Sequence, residues 1–198
     1  MGGFIMMVLE IIGARFLPRY FGSSFQVWVS QIGVVLIALA AGYYLGGAVA
    51  DRWPRPAVLA LGLFPAGLAV CLIPECGGWL LEAIIGRHPS NQPIPPLWQK
   101  LDPVLGSALI FLMPCVVLAT LSPYMIRMTT RSLAQVGRAS GFIIAASTVG
   151  SIAGVFVSGF VLIEQMRVSS IFRLMGALTA LLGLLCLALD RWLRGKGD

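Results

Sequence analysis

The chain contains long runs of apolar residues that hold no charged side chain. Crossing the hydrocarbon core of a bilayer takes about 20 apolar residues, and about 17 are enough when flanking side chains reach the interface. The runs therefore predict membrane-spanning helices, and we expect an all-α, multi-pass membrane protein. The charge-free runs are 20–50, 56–74, 103–126, 139–163 and 174–189.

The N-terminal segment adds a sixth predicted span, which is short and carries Glu10 and Arg15. A long outer loop, 75–102, separates the third span from the fourth, and its prolines exclude a continuous helix across it. Residues 1–198 are thus predicted to form one transmembrane domain, a six-helix bundle. The predicted spans are about 3–17, 25–50, 57–74, 104–126, 141–163 and 171–189.

Composition excludes several classes of protein. Only 11% of the residues are charged and 58% are hydrophobic, whereas an average soluble domain is roughly 25% charged. A soluble enzyme or a nucleic-acid-binding module needs polar surface that this sequence lacks. The net charge of +6 does not change this, because the basic residues lie at the ends of the apolar runs. The expected partner is the lipid bilayer, with no nucleic acid.

The sequence holds no motif that points to catalysis. Cysteine and histidine do not occur at metal-site spacing, and signatures of nucleotide binding, metalloproteases and α/β-hydrolases are absent. No region outside the predicted spans is large enough for a soluble catalytic domain. We therefore expect a chain that is not an enzyme and has no cofactor and no metal ion.

The distribution of charge predicts the orientation. Loops 51–56 and 127–140 and the C-terminal segment carry eight basic and three acidic residues, a net charge of +5. The residues predicted on the other side carry six basic and five acidic residues, a net charge of +1. Because loops rich in Lys and Arg stay in the cytoplasm, this difference predicts that these loops and both termini are cytoplasmic.

Two predicted spans carry small residues at a spacing of four, which keeps them on one helix face. Gly42 and Gly46 belong to the stripe in the second span, and Gly150 and Gly154 to that in the fifth. Small residues let two helix backbones approach closely in a membrane. The stripes indicate either tight packing alone or a contact that slides, as in transporters. The two stripes occupy the middle helix of spans one to three and the middle helix of spans four to six. This correspondence favours two inverted three-helix repeats.

Glu10 and Arg15 are unusual because they lie in an apolar segment. A carboxylate at membrane depth costs about 2.5–3.5 kcal/mol on insertion scales, so Glu10 should be neutral, paired or next to a wet cavity. The two residues are about 140° apart around the helix and do not share a face. We expect Glu10 to face the bundle interior or a partner subunit, within hydrogen-bond reach of an arginine or of several polar donors. Either a structural pair or a proton or cation site would fit this expectation.

Pro114 and Pro123 interrupt the fourth predicted span. Proline removes a helix hydrogen bond and kinks the helix, so this span either lines a cavity or bends to fit its neighbours. A transport function would also need polar side chains that converge near the middle of the membrane. The few candidates for such a cavity are Glu10, Gln31, Ser107, Thr120, Ser147 and Thr148.

Two resemblances follow from these residues. The segment 46–55, with Asp51, Arg52 and Arg55, resembles the loop between the second and third helices of the major facilitator superfamily, although Pro54 replaces a glycine of that signature. Segments 10–24, 122–127, 136–138 and 147–154 together are similar to the membrane domain of bacterial spermidine synthase-like proteins. This second resemblance implies a membrane domain without the synthase domain, a fold like one half of a facilitator, and a place in the bacterial inner (plasma) membrane.

Three functional hypotheses remain open at this point. The first is a non-catalytic scaffold or anchor subunit of a larger membrane complex. The second is a half-size transporter of a small solute or polyamine-like cation, working as a dimer. The third is a membrane anchor for a separately encoded aminopropyltransferase-like enzyme. One half of a facilitator leaves its cavity face uncovered, so we expect another membrane subunit or a second copy as partner.

Overall fold

The computed structural model describes residues 1–89, 94–130 and 136–195. All secondary structure in these ranges is helical, which confirms the predicted all-α chain for the described residues. The predicted loop residues Pro93, Arg131, Lys196 and Asp198 lie outside the described residues. The helices are α1 (Gly2–Phe16), α2 (Pro18–Phe21), α3 (Phe25–Arg52), α4 (Pro56–Ile85), α5 (Pro96–Ser107), α6 (Met113–Thr129), α7 (Val136–Val157), α8 (Ile163–Gln165) and α9 (Val168–Arg194). A π-helical turn joins α5 to α6 at Ala108–Leu112, and another joins α7 to α8 at Ser158–Leu162.

Five helical segments of the described chain are long and apolar enough to cross a membrane: α3, α4, Pro96–Thr129, Val136–Gln165 and α9. α1 has 15 residues and is shorter than these segments. Large apolar side chains such as Phe25 and Leu61 are about 80% exposed, and a soluble protein rarely exposes apolar surface so extensively. The chain is therefore a helical membrane protein.

The outer loop is much shorter than the predicted 75–102. α4 continues through Pro74 as far as Ile85, so the predicted end of the third span is wrong. The next helix begins at Pro96 rather than near residue 104. The physical reason is that a helix satisfies its own backbone groups, and neighbouring helices in a membrane protein tolerate an internal proline. The ends of the other predicted spans differ from the helix ends by five residues or fewer.

Three helix pairs form the framework of the bundle. α1 packs on α7, α3 packs on α6, and α4 packs on α9. The contacts along each pair show that α1 and α7 are parallel, that α3 and α6 are parallel, and that α4 and α9 are antiparallel. At the crossing of α4 and α9, a Cβ atom placed on Gly67 would lie 2.8 Å from the carbonyl oxygen of Gly176. Backbone meets backbone at this crossing, as is typical of helices that associate in lipid.

The glycines of the α3 stripe lie at a similarly close crossing with α6. A Cβ atom on Gly46 would lie 2.7 Å from the carbonyl oxygen of Thr120 and 2.8 Å from the ring of Pro123. Gly42 faces Ala119 and leaves no room for a larger residue. Both glycines therefore sit where only a residue without a side chain fits.

The two glycines of the α7 stripe differ from each other. A Cβ atom on Gly154 would lie 2.6 Å from the carbonyl oxygen of Phe4 on α1, whereas the nearest atom to one on Gly150 would be 3.6 Å away. Both glycines thus face Phe4 of α1, Gly154 at a tight approach and Gly150 at an ordinary contact distance. α1 also meets α7 closely near its own start, where a Cβ atom on Gly3 would lie 2.5 Å from the carbonyl oxygen of Ser147.

α1 lies at the centre of the bundle. The side chains of Ile5, Leu9 and Ile12 are fully buried, and their neighbours include Phe111 and Phe172 from the second half of the chain. α1 contacts helices α3, α6, α7 and α9. The shortest of the predicted spans is therefore the one that the others surround.

These distances predict opposite outcomes for two matched substitutions in α7. Gly154→Ala should destabilise the protein by about 1–3 kcal/mol, because the added methyl group forces two backbones apart. Gly150→Ala should be neutral or stabilising by up to about 1 kcal/mol, because alanine favours the helix and its methyl group would lie 3.6 Å from the nearest atom of α1. Unfolding in detergent, followed by circular dichroism, measures both. Equal stabilities for the two variants would contradict the observed crossing.

Candidate functional site

A cleft opens between α7 on one side and α3 and α6 on the other. Two adjoining cavities of about 400 and 360 Å³ form it, and they share Tyr43, Ser122, Ser147 and Ser151 as lining residues. α7 packs mainly on α1 and touches α6 at few points. In the most apolar stretch of 18 residues of the segment 136–165, only 17% of the residues are buried, against 28–44% in the corresponding stretches of the other four long segments. α7 is thus attached to the bundle along one side.

Hydroxyl groups line this cleft from three helices. Ser122 Oγ on α6 lies 3.5 Å from Ser147 Oγ on α7. Thr148 Oγ1 donates a hydrogen bond of 2.9 Å to the carbonyl oxygen of Ile144, within its own helix. Tyr43 on α3 completes the wall. Among the lining residues there is no carboxylate and no basic side chain.

Other polar residues expected at a midplane cavity lie elsewhere. Ser107 Oγ donates a hydrogen bond of 2.6 Å to Gln31 Oε1, and both side chains are fully buried. The remaining amide nitrogen of Gln31 has no partner within the described chain, and it faces Gly13 on α1. Thr120 donates to the carbonyl oxygen of Val117 in its own helix. Of the six candidates, only Ser147 and Thr148 line the cleft.

Glu10 is half-buried in α1 and lies near the thiol of Cys115 on α6. It forms no hydrogen bond or ion pair with any residue that the structure describes. The expected pair with an arginine is therefore absent from this part of the chain. Arg15 is exposed, on a different face of α1. Arg173, another candidate, donates instead to Glu75 at 2.6 Å.

The segment 46–55, which resembles the facilitator loop, connects α3 to α4 and contacts α6. Arg127 Nε on α6 donates to Asp51 Oδ1 at 2.6 Å, and the guanidinium of Arg52 lies 5.1 Å from the ring centre of Trp53. The side chains of Asp51 and Arg127 are 68% and 56% exposed. An ion pair so exposed adds at most about 1 kcal/mol of stability.

Tyr124 on α6 holds the same loop more firmly. Its hydroxyl accepts a hydrogen bond of 3.0 Å from the N–H of Arg55 and lies 2.7 Å from the carbonyl oxygen of Arg55. It also contacts the carbonyl oxygen of Trp53. The tyrosine side chain is fully buried. One side chain thus fixes the backbone that connects α3 to α4, a role that the loop sequence alone does not reveal.

The two kink prolines have different surroundings. Pro114 directly follows the π-helical turn at Ala108–Leu112, and the wider turn gives the proline ring room. The helix continues through Pro123 to Thr129, and the ring of Pro123 packs close to Gly46. Neither proline lies at an unwound segment in the described structure. Pro123 lines the cleft, whereas Pro114 is buried.

Sequence patterns did not reveal a polar cluster at the end of the bundle opposite to the α3–α4 loop. The carboxylate of Asp102 is 4% exposed and binds Arg87 Nη2 at 2.9 Å and His88 Nε2 at 2.7 Å. The guanidinium of Arg87 also lies 5.2 Å from the ring centre of Trp98. This cluster ties the end of α4 to α5. We call the bundle end with Asp102 the Asp102 end, and the end with Asp51 the Asp51 end.

The described residues contain no group of three His, Cys, Asp or Glu side chains that could hold a metal ion. All four cysteines are free thiols, and two of them, Cys71 and Cys115, pack between helices. The polar groups of the described chain therefore lie mainly in the hydroxyl cleft, in the buried Gln31–Ser107 pair, at the Asp51 end, at the Asp102 end and at the isolated Glu10.

We predict that Tyr124 contributes more to stability than the charged residues of the loop. Tyr124→Phe should cost about 1–3 kcal/mol, because it leaves the backbone of the α3–α4 loop without its buried partner. Asp51→Asn should cost no more than about 1 kcal/mol. Tyr43→Phe, which removes a hydroxyl from a half-exposed ring, is the control. Unfolding in detergent measures all three, and a larger loss for Asp51→Asn than for Tyr124→Phe would contradict the contact described.

Comparison with known proteins gives no match to a family model, to a curated protein or to a solved structure. The resemblance to spermidine synthase-like membrane domains, which includes Tyr124 and Arg127, therefore remains an expectation from the sequence.

Proposed function

We propose that this chain is a non-catalytic integral membrane subunit, a scaffold that holds a transmembrane helix of another membrane protein. The helix would lie in the cleft between α6 and α7. The observation that carries the proposal is the group of small and hydroxyl side chains within the otherwise apolar lining of this cleft, next to a helix that is attached along one side only.

The chemistry of the lining favours a helix as occupant. Helices gain no hydrophobic driving force from association in lipid, so their contacts use small residues and hydrogen bonds between helices. Ser122, Ser147 and Ser151 have this character, and Ser147 already packs against Gly3 of α1. Lipid chains filling the cleft would offer no partner to these hydroxyl groups. A transmembrane helix with small or polar side chains offers both close packing and hydrogen bonds.

Symmetry favours a different protein over a second copy. If a helix of one copy entered the cleft of the next, the contact would join two different surfaces, and it would extend into an open chain of copies unless the rotation between copies closed a ring. If two clefts faced each other, neither copy would supply a helix to fill them. A helix from another subunit closes the assembly without either difficulty.

The pairing of helices supports two inverted repeats, as in one half of a facilitator. We infer that α1, α3 and α4 correspond to α6, α7 and α9. If each helix is replaced by its counterpart, the contact between α3 and α6 becomes the contact between α7 and α1. The contact between α4 and α9 becomes itself. Leu17 keeps helical dihedral angles between α1 and α2, so 2–21 can act as the sixth span. Twenty helical residues extend about 30 Å, the thickness of the hydrocarbon core.

Crosslinking at two adjacent residues of α7 tests the scaffold proposal. Thr148 lines the cleft, and Val149, which is 66% exposed, does not. A photocrosslinking amino acid at 148 should give one discrete adduct with another membrane protein in intact cells, and the same probe at 149 should give none.

Thr148→Phe should abolish a crosslink formed from Ser122, because the ring fills the cleft, whereas Val149→Phe should leave it intact. An adduct of twice the mass of this chain would identify a second copy as the occupant. Equal crosslinking from 148 and 149 would contradict a helix in the cleft.

The same hydroxyl groups favour a half-size transporter as a second candidate. A small polar solute would find hydrogen bonds in the cleft, but a polyamine-like cation would meet no carboxylate among the lining residues. For this reason the scaffold ranks first. Transport predicts that proteoliposomes accumulate labelled spermidine, and that Thr148→Val lowers this uptake without changing the fold. Uptake equal to that of protein-free liposomes would exclude this cation as the solute.

A further inference from the structure

Three arginines surround a cavity of about 280 Å³ at the Asp102 end of the bundle. Arg15 comes from the end of α1, Arg19 from α2, and Arg167 from the residue before α9. Ser169 in the first turn of α9 adds a hydroxyl group. Residues distant in the sequence thus bring three positive charges to one cavity, which a chance scatter of surface charges does not do.

None of these arginines is neutralised within the described chain. All three are exposed, and none forms an ion pair with a described carboxylate. The ion pairs at this end use other residues: Arg87 and His88 with Asp102, and Arg173 with Glu75. Glu164 is near in sequence to Arg167, but the two side chains form no ion pair. The cavity therefore carries an uncompensated positive charge.

The remaining lining of the cavity is apolar and comes from Ile163, Met166 and Val168. Arg15 and Arg19 lie where the apolar residues of α1 give way to the turn before α3. An amphiphile with a negative head and a hydrocarbon tail matches this arrangement, with its head among the arginines and its tail against the apolar residues. Guanidinium groups bind phosphate oxygens through paired hydrogen bonds.

We propose that this cavity binds the phosphodiester headgroup of an anionic phospholipid. Guanidinium groups pair with phosphodiester oxygens on either side of a membrane, and each arginine near an anionic membrane surface contributes about 1 kcal/mol, or about fivefold in affinity. This site is separate from the cleft between α6 and α7, whose lining holds no charged side chain. It does not depend on the identity of the partner helix.

The test titrates the full chain, purified in mild detergent, with phosphatidylglycerol and with zwitterionic phosphatidylcholine, and counts bound lipid by native mass spectrometry. Wild-type protein should prefer phosphatidylglycerol. Replacing one of the three arginines by glutamine should lower the affinity for phosphatidylglycerol about fivefold, and replacing all three should lower it about 100-fold. The affinity for phosphatidylcholine should change little.

Arg138→Gln is the matched control, because it removes one positive charge from an exposed residue at the start of α7, at the Asp51 end. It should retain the wild-type preference. If the triple variant does not fold, the three single variants carry the test. Unchanged binding in the arginine variants, or an equal loss in Arg138→Gln, would overturn the proposal. Displacement of the lipid by excess inorganic phosphate would show that the cavity binds free phosphate instead.

Discussion

The close approach of helix backbones is the constraint on which this bundle depends. Lipid chains are as apolar as leucine, so burying apolar side chains between helices gains little in a membrane. Contact must come from dense packing, and density requires residues that let backbones meet. Gly67 against Gly176, Gly46 against Thr120, and Gly154 against Phe4 provide such meeting points in the three main helix pairs. Larger side chains then fill the space around these crossings, with α1 at the centre.

Where this constraint is relaxed, the bundle opens. α7 meets α1 closely at Gly154 and again where Gly3 faces Ser147, whereas the cleft lies on the side of α7 that faces α3 and α6. α7 is therefore held by α1 and packs loosely against its other neighbours. The hydroxyl groups of Ser122, Ser147 and Ser151 are exposed in the cleft as a result. Packing and the candidate site are two consequences of the same arrangement.

Sequence patterns predicted the helical membrane class and the close approach of another helix at Gly42 and Gly46, because charge-free length and a four-residue spacing act locally along the chain. They did not identify α6 as that helix. They missed the crossing at Gly67 and Gly176, since neither glycine belongs to a stripe of small residues. They placed a loop after Pro74, where α4 continues. They also could not show that Tyr124 binds the backbone of Arg55 or that His88 binds Asp102, because such contacts join residues from different elements. Contacts between residues that are distant in the sequence leave no periodic pattern along the chain, whereas the length of a helix does.

The central position of α1 has a consequence for biogenesis. α1 leaves the ribosome before α7 and α9, two of the helices that cover it. Until these two helices are inserted, the face of α1 that packs against Gly154 must rest against lipid or against the insertion machinery. Glu10 belongs to this incompletely covered helix. The synthesis of α7 and α9 therefore completes the core around α1.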